Sequence, residues 1–239
     1  MQFFVAGTDT NVGKTQVAAA LLGLMVDAGL APFAFKPYES GVAKLTAPPD
    51  ALRLQRAGGG LQPLGAISLF RFKKPLAPGV AARLERRPSN WRATLSAHRA
   101  FGTRPGVIEG AGGLFVPLDE KHDVVDLISA LGAPVVLVAR AGLGTLNHTL
   151  LSLEALKSRR IRVAAIVLNS TSVADRADAS VAHNAAELRR RTDSPIYGPT
   201  RFIENEAERD ASLRRALRPT QPGQVEQSKP RKGHLQRFE

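Results

Sequence analysis

The feature that most constrains this chain is a glycine-containing turn near its start, residues 7–15, between an apolar run and a helical segment. Residues 3–6 have the length and composition of a buried strand, and the residues after Thr15 are rich in alanine and leucine. A strand, a glycine turn and a helix start, in this order, form a phosphate-binding loop whose backbone N–H groups surround an anion. The sequence therefore predicts a nucleotide-binding α/β fold.

Individual residues of this loop have distinct expected roles. Lys14 supplies a mobile cation for the outer phosphates, and the Thr15 hydroxyl is placed to bind Mg²⁺. The helix that begins near Gly13 adds its free N–H groups and the positive end of its dipole. Five residues separate Gly7 from Gly13, one more than in the usual pattern. A chance Gly-Lys-Thr at a helix start is therefore the alternative.

Strand and helix patterns alternate along the rest of the chain. Further buried strands are expected at residues 32–36, 107–109, 134–139, 163–168 and 196–198. Helices are expected at residues 13–28, 50–57, 90–100, 123–131, 146–158 and 174–191. The proline-rich stretch 61–80 is expected to be irregular. This alternation predicts a single α/β domain over residues 1–218, with a mostly parallel sheet and helices on both faces, followed by a basic, disordered tail at 219–239.

Charged side chains stand at the ends of predicted strands, where open α/β sheets bind their ligands. Lys36 is held extended by the proline that follows it, and Glu109 ends a buried strand before a glycine-rich turn. Asp50 begins a helix, where we expect it to act as the N-cap. Mg²⁺ bound with ATP takes a hydroxyl and one or two carboxylates. Thr15, Asp50 and Glu109 are therefore the predicted metal ligands.

Composition narrows the classes of protein further. The chain has 239 residues, 44% of them hydrophobic, and no run approaches the ~20 apolar residues of a membrane span. It has no cysteine, which excludes disulfides and thiolate sites, and it lacks a secretion signal, so a cytoplasmic location is expected. The net charge of +12 is spread over arginine-rich segments without interleaved aromatics or a groove-reading motif, so we expect no nucleic-acid partner.

Taken together, several segments resemble the dethiobiotin synthetases, ATP-dependent enzymes that close the ureido ring in biotin synthesis. The resemblance covers about residues 2–205, in order, and the longer phosphate loop is the family's own form. It rests on residues 7–15 (GTDTNVGKT), 36–41 (KPYESG), 50–56 (DALRLQR), 109–118 (EGAGGLFVPL), 142–148 (GLGTLNH) and 167–169 (VLN).

The resemblance implies a homodimer that converts ATP, CO₂ and 7,8-diaminopelargonate into dethiobiotin, ADP and phosphate, with Mg²⁺, through a carbamate and a carbamic-phosphoric anhydride. Lys14 would hold the phosphates and Lys36 would stabilise the carbamate and its phosphorylated form, as the two catalytic residues. ATP would be bound by Asn11, Val12, Gly13, Lys14, Thr15, Gln16, Asp50, Glu109, Gly110, Ala111, Gly112, Asn169 (at the adenine edge), Pro199, Thr200 and Arg201. The other substrate would be bound by Thr10 and Ser40 and, across the dimer interface, by Gly144, Thr145, Leu146 and Asn147.

Three stretches depart from the family pattern. Asn11 stands where glutamate is common, which removes a charge beside the phosphates. Tyr38 and Glu39 stand where small apolar residues are usual, which changes the substrate side of the site. Of the family's adenine loop, only Gly198 and Pro199 match, and Thr200 and Arg201 follow them.

Other readings of the same residues stay open. A related P-loop ligase acting on another amine is compatible with the unusual pair that follows Lys36-Pro37. A nucleotide-switched partitioning or DNA-binding ATPase usually has a second lysine early in the loop, where this chain has Thr8-Asp9-Thr10. Among single residues, Lys36 could be an ordinary surface lysine and Ser40 a simple turn residue.

Overall fold

The computed structural model describes residues 1–218, so the tail predicted at 219–239 lies outside the described residues. The strands are β1 (Gln2–Gly7), β2 (Phe33–Phe35), β3 (Tyr38–Ser40), β4 (Phe70–Phe72), β5 (Gly106–Glu109), β6 (Val135–Arg140), β7 (Val163–Asn169) and β8 (Ile196–Tyr197). The helices are α1 (Lys14–Asp27), α2 (Pro49–Ala57), α3 (Leu64–Ile67), α4 (Pro78–Leu84), α5 (Trp91–Arg99), α6 (Val124–Leu131), α7 (Thr145–Ser158), α8 (Val181–Arg189) and α9 (Glu206–Leu217).

Six strands form one sheet in the order β2-β5-β1-β6-β7-β8, and each neighbouring pair is parallel. Parallel neighbours require crossover connections, and the intervening helices supply them. The predicted parallel α/β fold is confirmed. Strands β3 and β4 pair with each other in a separate small parallel sheet.

Helices cover both faces of the large sheet, as the sequence predicted. Along β1, Phe4 and Ala6 belong to one core and Val5 to the other, because successive side chains of a strand point to opposite faces. The first core is completed by apolar residues of α5, α6, α7 and α8. The second core is completed by α1, α2 and α9, with Leu213 and Leu217 of α9 buried against it.

Two expectations about secondary structure are wrong. The stretch 61–80 is not irregular, since it contains α3, β4 and the start of α4. The helix expected over residues 174–191 is broken into a short 3₁₀ turn, Val173–Arg176, and α8. Two hydrogen bonds account for the break: Asp175 accepts from the Thr171 amide at 2.7 Å, and Asp178 accepts from the amide of Leu143, in a distant loop, at 2.7 Å. Short acidic side chains that bond loop amides compete with a continuous helix.

The carboxyl ends of β1, β2, β5, β6 and β7 meet at one edge of the sheet. This edge brings together residues that are far apart in the sequence, namely the phosphate loop, Lys36 after β2 and Glu109 at the end of β5. Within the described part of the chain, no helix has both the length and the apolar character needed to cross a membrane.

Candidate nucleotide and substrate site

A cavity of about 760 Å³ opens at this edge of the sheet. The predicted site residues that line it are Thr10, Asn11, Gly13, Lys14, Thr15, Gln16, Lys36, Ser40, Asp50, Glu109, Ala111 and Gly112. Segments from four different parts of the chain therefore converge on one space. Its size suits a nucleotide or another ligand of drug-like dimensions.

The phosphate loop is shaped by Gly13, the residue that precedes α1. Gly13 has a φ of 93°, a conformation that side-chain-bearing residues rarely adopt, and a Cβ there would collide with the amide nitrogen of Asn169. The Nζ atom of Lys14 donates to the Asp9 carbonyl at 2.8 Å, so the lysine side chain folds back over the loop. Burial lowers the pKa of Lys14 to about 8, with the neighbouring charge of Lys36 acting in the same direction.

Lys36 is the centre of the charged cluster in the cavity. Its Nζ lies 2.9 Å from Asp50 Oδ2 and also contacts Glu109 Oε1. Burial alone would lower the pKa of Lys36, but the two carboxylates raise it above its ordinary value, so the ammonium stays charged. Lys36 and Glu109 are only 5% and 1% exposed. Lys36 is therefore not an ordinary surface lysine.

The residues predicted to hold a metal lie together around this lysine. Thr15 Oγ1 donates to Glu109 Oε1 at 2.7 Å, and Asp50, which pairs with Lys36, lies near Thr15. The second oxygen of Glu109, Oε2, is buried without a hydrogen-bond partner among the described residues, which is costly unless something binds it. No group of three histidine or carboxylate side chains suited to hold a metal alone occurs in residues 1–218. The set fits Mg²⁺ that arrives with ATP, because such Mg²⁺ keeps waters and takes few protein ligands.

The electrostatics of the two carboxylates differ because their burial differs. Burial would raise the pKa of Asp50, but its contact with Lys36 lowers it below the ordinary value. Burial raises the pKa of Glu109, and Lys36 opposes that shift only in part. Glu109 is thus the group whose charge depends most on a neighbouring cation.

Asp50 does not cap its helix, contrary to expectation. Pro48 occupies the N-cap position and Asp50 lies inside the first turn of α2, where its side chain is free to reach Lys36. The cap comes from another element: Glu39 accepts from the amide of Asp50 at 2.9 Å and from that of Ala51 at 3.2 Å.

Tyr38 and Glu39, the unusual pair, are both 2% exposed. The hydroxyl of Tyr38 lies 3.0 Å from Thr94 Oγ1, and its ring stacks on Phe70. Burial raises the pKa of Tyr38 to about 12, so it is neutral. The pair therefore anchors strand β3 and helix α2 beside the cavity. The adjacent Ser40 has a buried hydroxyl without a hydrogen-bond partner in the described structure, which leaves it available to a ligand.

The residues predicted at the adenine are not among those that line the cavity. Asn169 is 2% exposed, and its amide donates to the Val12 carbonyl at 3.0 Å and to Gln16, while its oxygen accepts from Thr200. Asn169 thus ties the end of β7 to the phosphate loop. Val12 and Gly110 are buried and do not line the cavity, and Pro199 and Arg201, on either side of Thr200, are exposed.

Gly144, Thr145, Leu146 and Asn147, predicted to bind substrate, also lie outside this cavity, at the start of α7. Three large apolar side chains on α7 or near its ends are exposed. Leu143 is 78% exposed, Leu151 64% and Phe115 60%, and Arg159 at the end of α7 lies over the Phe115 ring.

Sequence reasoning missed two cavity residues that the structure makes prominent, Glu39 and Arg53. Arg53 lies one turn after Asp50 on α2 and is held by Asp210 of α9 at 2.5 Å. The spacing of Asp50 and Arg53 on one helix face was a visible signal, but α9 itself was not predicted.

Comparison with known proteins gives concordant matches over most of the chain. The family model described as an AAA domain matches residues 1–203. The ATP-dependent dethiobiotin synthetase BioD of Anaeromyxobacter dehalogenans (strain 2CP-C) is 50% identical over 191 residues, which cover 79% of this chain and 84% of that protein. The protein of the same name from Anaeromyxobacter sp. (strain Fw109-5) is 45% identical over 216 residues, 90% of this chain and 96% of that protein.

Among solved structures, chloroplast FtsY from Physcomitrella patens aligns with 89% of this chain and 64% of its own, at 14% identity and a TM-score of 0.47. The family assignment rests on the sequence relatives, and the family model matches residues 1–203, the region that contains the phosphate loop and the charged cluster. By its AAA-domain match and by its identity to these relatives, the chain belongs to the ATP-dependent dethiobiotin synthetase family.

Proposed function

We propose that this protein catalyses the ATP-dependent ring closure of 7,8-diaminopelargonate with CO₂ to dethiobiotin, ADP and phosphate. The observation that carries the proposal is the cluster in which Lys36 lies buried between Asp50 and Glu109, beside the phosphate loop. The names of the relatives support the same reaction. Phosphoryl transfer depends on positioning and charge neutralisation, and this cavity supplies both.

The proposed chemistry proceeds in three balanced steps. One amine nitrogen of the diamine attacks the carbon of CO₂ and loses a proton, which gives a carbamate. A carbamate oxygen attacks the γ-phosphorus of ATP, and ADP leaves. The second amine then attacks the carbonyl carbon of the mixed anhydride, loses a proton and expels phosphate, which closes the ring.

The residues of the cavity have separate roles in this scheme. Lys14 neutralises the phosphates, and Lys36 stabilises the negative carbamate and its phosphorylated form. Mg²⁺, which Thr15, Asp50 and Glu109 would hold, supplies charge neutralisation at the ATP phosphates. Glu109 Oε2, which is buried and has no hydrogen-bond partner among residues 1–218, supports this metal role.

The substrate lies, in our proposal, between the phosphates and strand β3. Thr10 and Asn11 line the space nearest the loop, and the hydroxyl of Ser40, which has no partner within residues 1–218, binds the far end. Gln16, Ala111 and Gly112 complete the ATP side, with Asn169, Pro199, Thr200 and Arg201 proposed near the adenine. For Asn169 to read adenine it must exchange hydrogen bonds that it now makes within the protein.

We propose further that the enzyme is a homodimer formed through α7. Leu143, Leu151 and Phe115, on α7 or near its two ends, are large apolar side chains left exposed, and exposed apolar surface is a mark of protein interfaces. Residues 144–147 do not line the cavity of their own subunit, and in our proposal they contact the substrate bound in the site of a second copy. They begin a helix, and a helix N-terminus suits the carboxylate of 7,8-diaminopelargonate.

The test is release of ADP from Mg²⁺-ATP and bicarbonate, with and without 7,8-diaminopelargonate. We expect phosphate release only with the diamine, and dethiobiotin in equal amount. ATP hydrolysis that is unchanged by the diamine but stimulated by a different amine would establish a related ligase. Hydrolysis stimulated by duplex DNA in a salt-sensitive manner would establish a partitioning-type ATPase instead.

A further inference from the structure

The start of helix α2 presents two backbone donors that its own helix cannot satisfy. The first N–H groups of any helix lack intrahelical partners. Here Pro49 has no N–H, and the Leu52 amide donates to the Pro48 carbonyl at 3.0 Å. The amides of Asp50 and Ala51 remain, and no side chain of α2 or of its N-cap residue bonds them.

Both donors are taken by a single carboxylate from another element. Glu39 Oε1 lies 2.9 Å from the Asp50 nitrogen, and Oε2 lies 3.2 Å from the Ala51 nitrogen. Glu39 is 2% exposed, so these charge-assisted bonds are formed away from water. A carboxylate at the positive end of a helix is also favoured by the helix dipole.

Segment 36–39 therefore binds the first turn of α2 through two side chains. Lys36 holds the side chain of Asp50 at 2.9 Å, and Glu39 holds the backbone amide of the same residue. A fixed backbone limits the directions in which the Asp50 carboxylate can point. That carboxylate also lies near Thr15, so its direction affects how the phosphate end of the cavity is arranged.

We infer that Glu39 is a positioning residue, which fixes the Asp50 carboxylate beside Thr15 and Lys36 by binding the first two free amides of α2. The inference rests on the proposed role of Asp50 toward Mg²⁺-ATP. It assigns Glu39 no contact with substrate. It also accounts for the presence of a buried acid in the Tyr38-Glu39 pair.

The experiment compares the dissociation constant of ATP in EDTA with that in saturating Mg²⁺, and uses the ratio of the two as the readout. Glu39→Gln keeps the shape of the side chain but replaces one acceptor with a donor, so one of the two bonds is lost. We expect the Mg²⁺-dependent gain in ATP affinity to fall about tenfold, the equivalent of one hydrogen bond to a charged group. The constant in EDTA should change less than about twofold.

Two further variants separate the possible causes. Thr94→Val removes the buried hydroxyl that bonds Tyr38, so it weakens the support of the same strand without touching α2. It should lower the melting temperature and leave the ratio unchanged. Asp50→Asn tests the proposed metal role directly and should reduce the ratio at least as much as Glu39→Gln.

The outcomes distinguish the two proposals. If Asp50→Asn reduces the ratio and Glu39→Gln does not, the inference is overturned and the proposed metal role of Asp50 stands. If Asp50→Asn leaves the ratio unchanged, that metal role fails and the inference with it. If Thr94→Val matches Glu39→Gln, the effect is loss of stability, which also overturns the inference. Should Glu39→Gln not fold, Glu39→Asp, which keeps the charge but is too short to span both amides, takes its place in the same measurement.

Discussion

Removal of the charge of Lys36 should destabilise the folded protein, and added Mg²⁺ should restore part of the lost stability. Lys36→Met keeps most of the side-chain length but leaves the carboxylates of Asp50 and Glu109 without their shared cation. Loss of one partner of a buried ion pair costs roughly 3–5 kcal/mol. The side chain of Asp50 is 41% exposed and is screened by water, so only the fully buried Glu109 counts in full. We therefore expect a loss at the lower end, about 3 kcal/mol.

For a domain of this size, that loss corresponds to a fall in melting temperature of roughly 6–12 °C. The assay is thermal and urea denaturation at one fixed protein concentration, in EDTA and in Mg²⁺. A divalent cation can replace the ammonium beside both carboxylates, so Mg²⁺ should stabilise the variant more than it stabilises the original protein. Lys44→Met, at an exposed lysine, is the matched control and should change neither value.

The stability of the Lys36→Met variant should depend on pH in a defined direction. Burial raises the pKa of Glu109, and loss of Lys36 removes the main opposing effect, so the folded variant holds a proton that the unfolded chain releases above the ordinary value of 4.5. The folded state then binds more protons than the unfolded state, and stability falls as pH rises. The difference in unfolding free energy between the variant and the original protein should therefore grow above this pH and shrink below it. A loss under about 1 kcal/mol, independent of pH and Mg²⁺, would refute the reasoning.

Three further predictions follow from other features. Because burial lowers the pKa of Lys14 to about 8, ATP affinity should fall by up to about tenfold per pH unit above that value, with proton uptake visible by calorimetry in two buffers; an affinity independent of pH would contradict it. Leu151→Arg should halve the mass measured by light scattering, whereas Leu61→Arg, at a side chain 95% exposed, should not; equal masses would count against an interface at α7. Asn11 has a φ of 59° and is exposed, so Asn11→Ala should cost about 1 kcal/mol of unfolding free energy relative to Asn11→Gly, and equal urea midpoints would show that the loop carries no such strain.

The sequence predicted those site residues whose position in the fold is determined by a short local pattern. An apolar run followed by the phosphate loop places Lys14 and Thr15 at a helix start, whatever the rest of the chain does. Lys36 and Glu109 end strands of a parallel sheet, and parallel strands bring their carboxyl ends to one edge. Topology alone therefore placed these side chains near each other, and the observed contact between Lys36 and Glu109 agrees with that expectation.

The elements that were not predicted depend on contacts between distant segments. Strand β4 is only three residues long and exists through its pairing with β3, which lies about thirty residues earlier. Helix α9 has mostly polar residues, and Leu213 and Leu217 become informative only once α1 is present to cover them. The helix expected over 174–191 breaks because Asp178 bonds an amide of the loop before α7, a partner that helical periodicity cannot reveal.

At the start of helix α2, the local sequence predicts the helix but not the role of its first acidic residue. Asp50 follows two prolines at a helix start, and propensity correctly places an acid there, but it cannot say whether that acid caps the helix or serves the cavity. The structure resolves the choice because a second acid, Glu39, is brought to the same amides by strand β3. With the cap supplied from outside, the side chain of Asp50 is free to pair with Lys36. Of these two acids, eleven residues apart, Glu39 caps the helix and Asp50 pairs with Lys36 in the cavity. The sequence alone does not assign these roles, because the assignment depends on where the fold places strand β3.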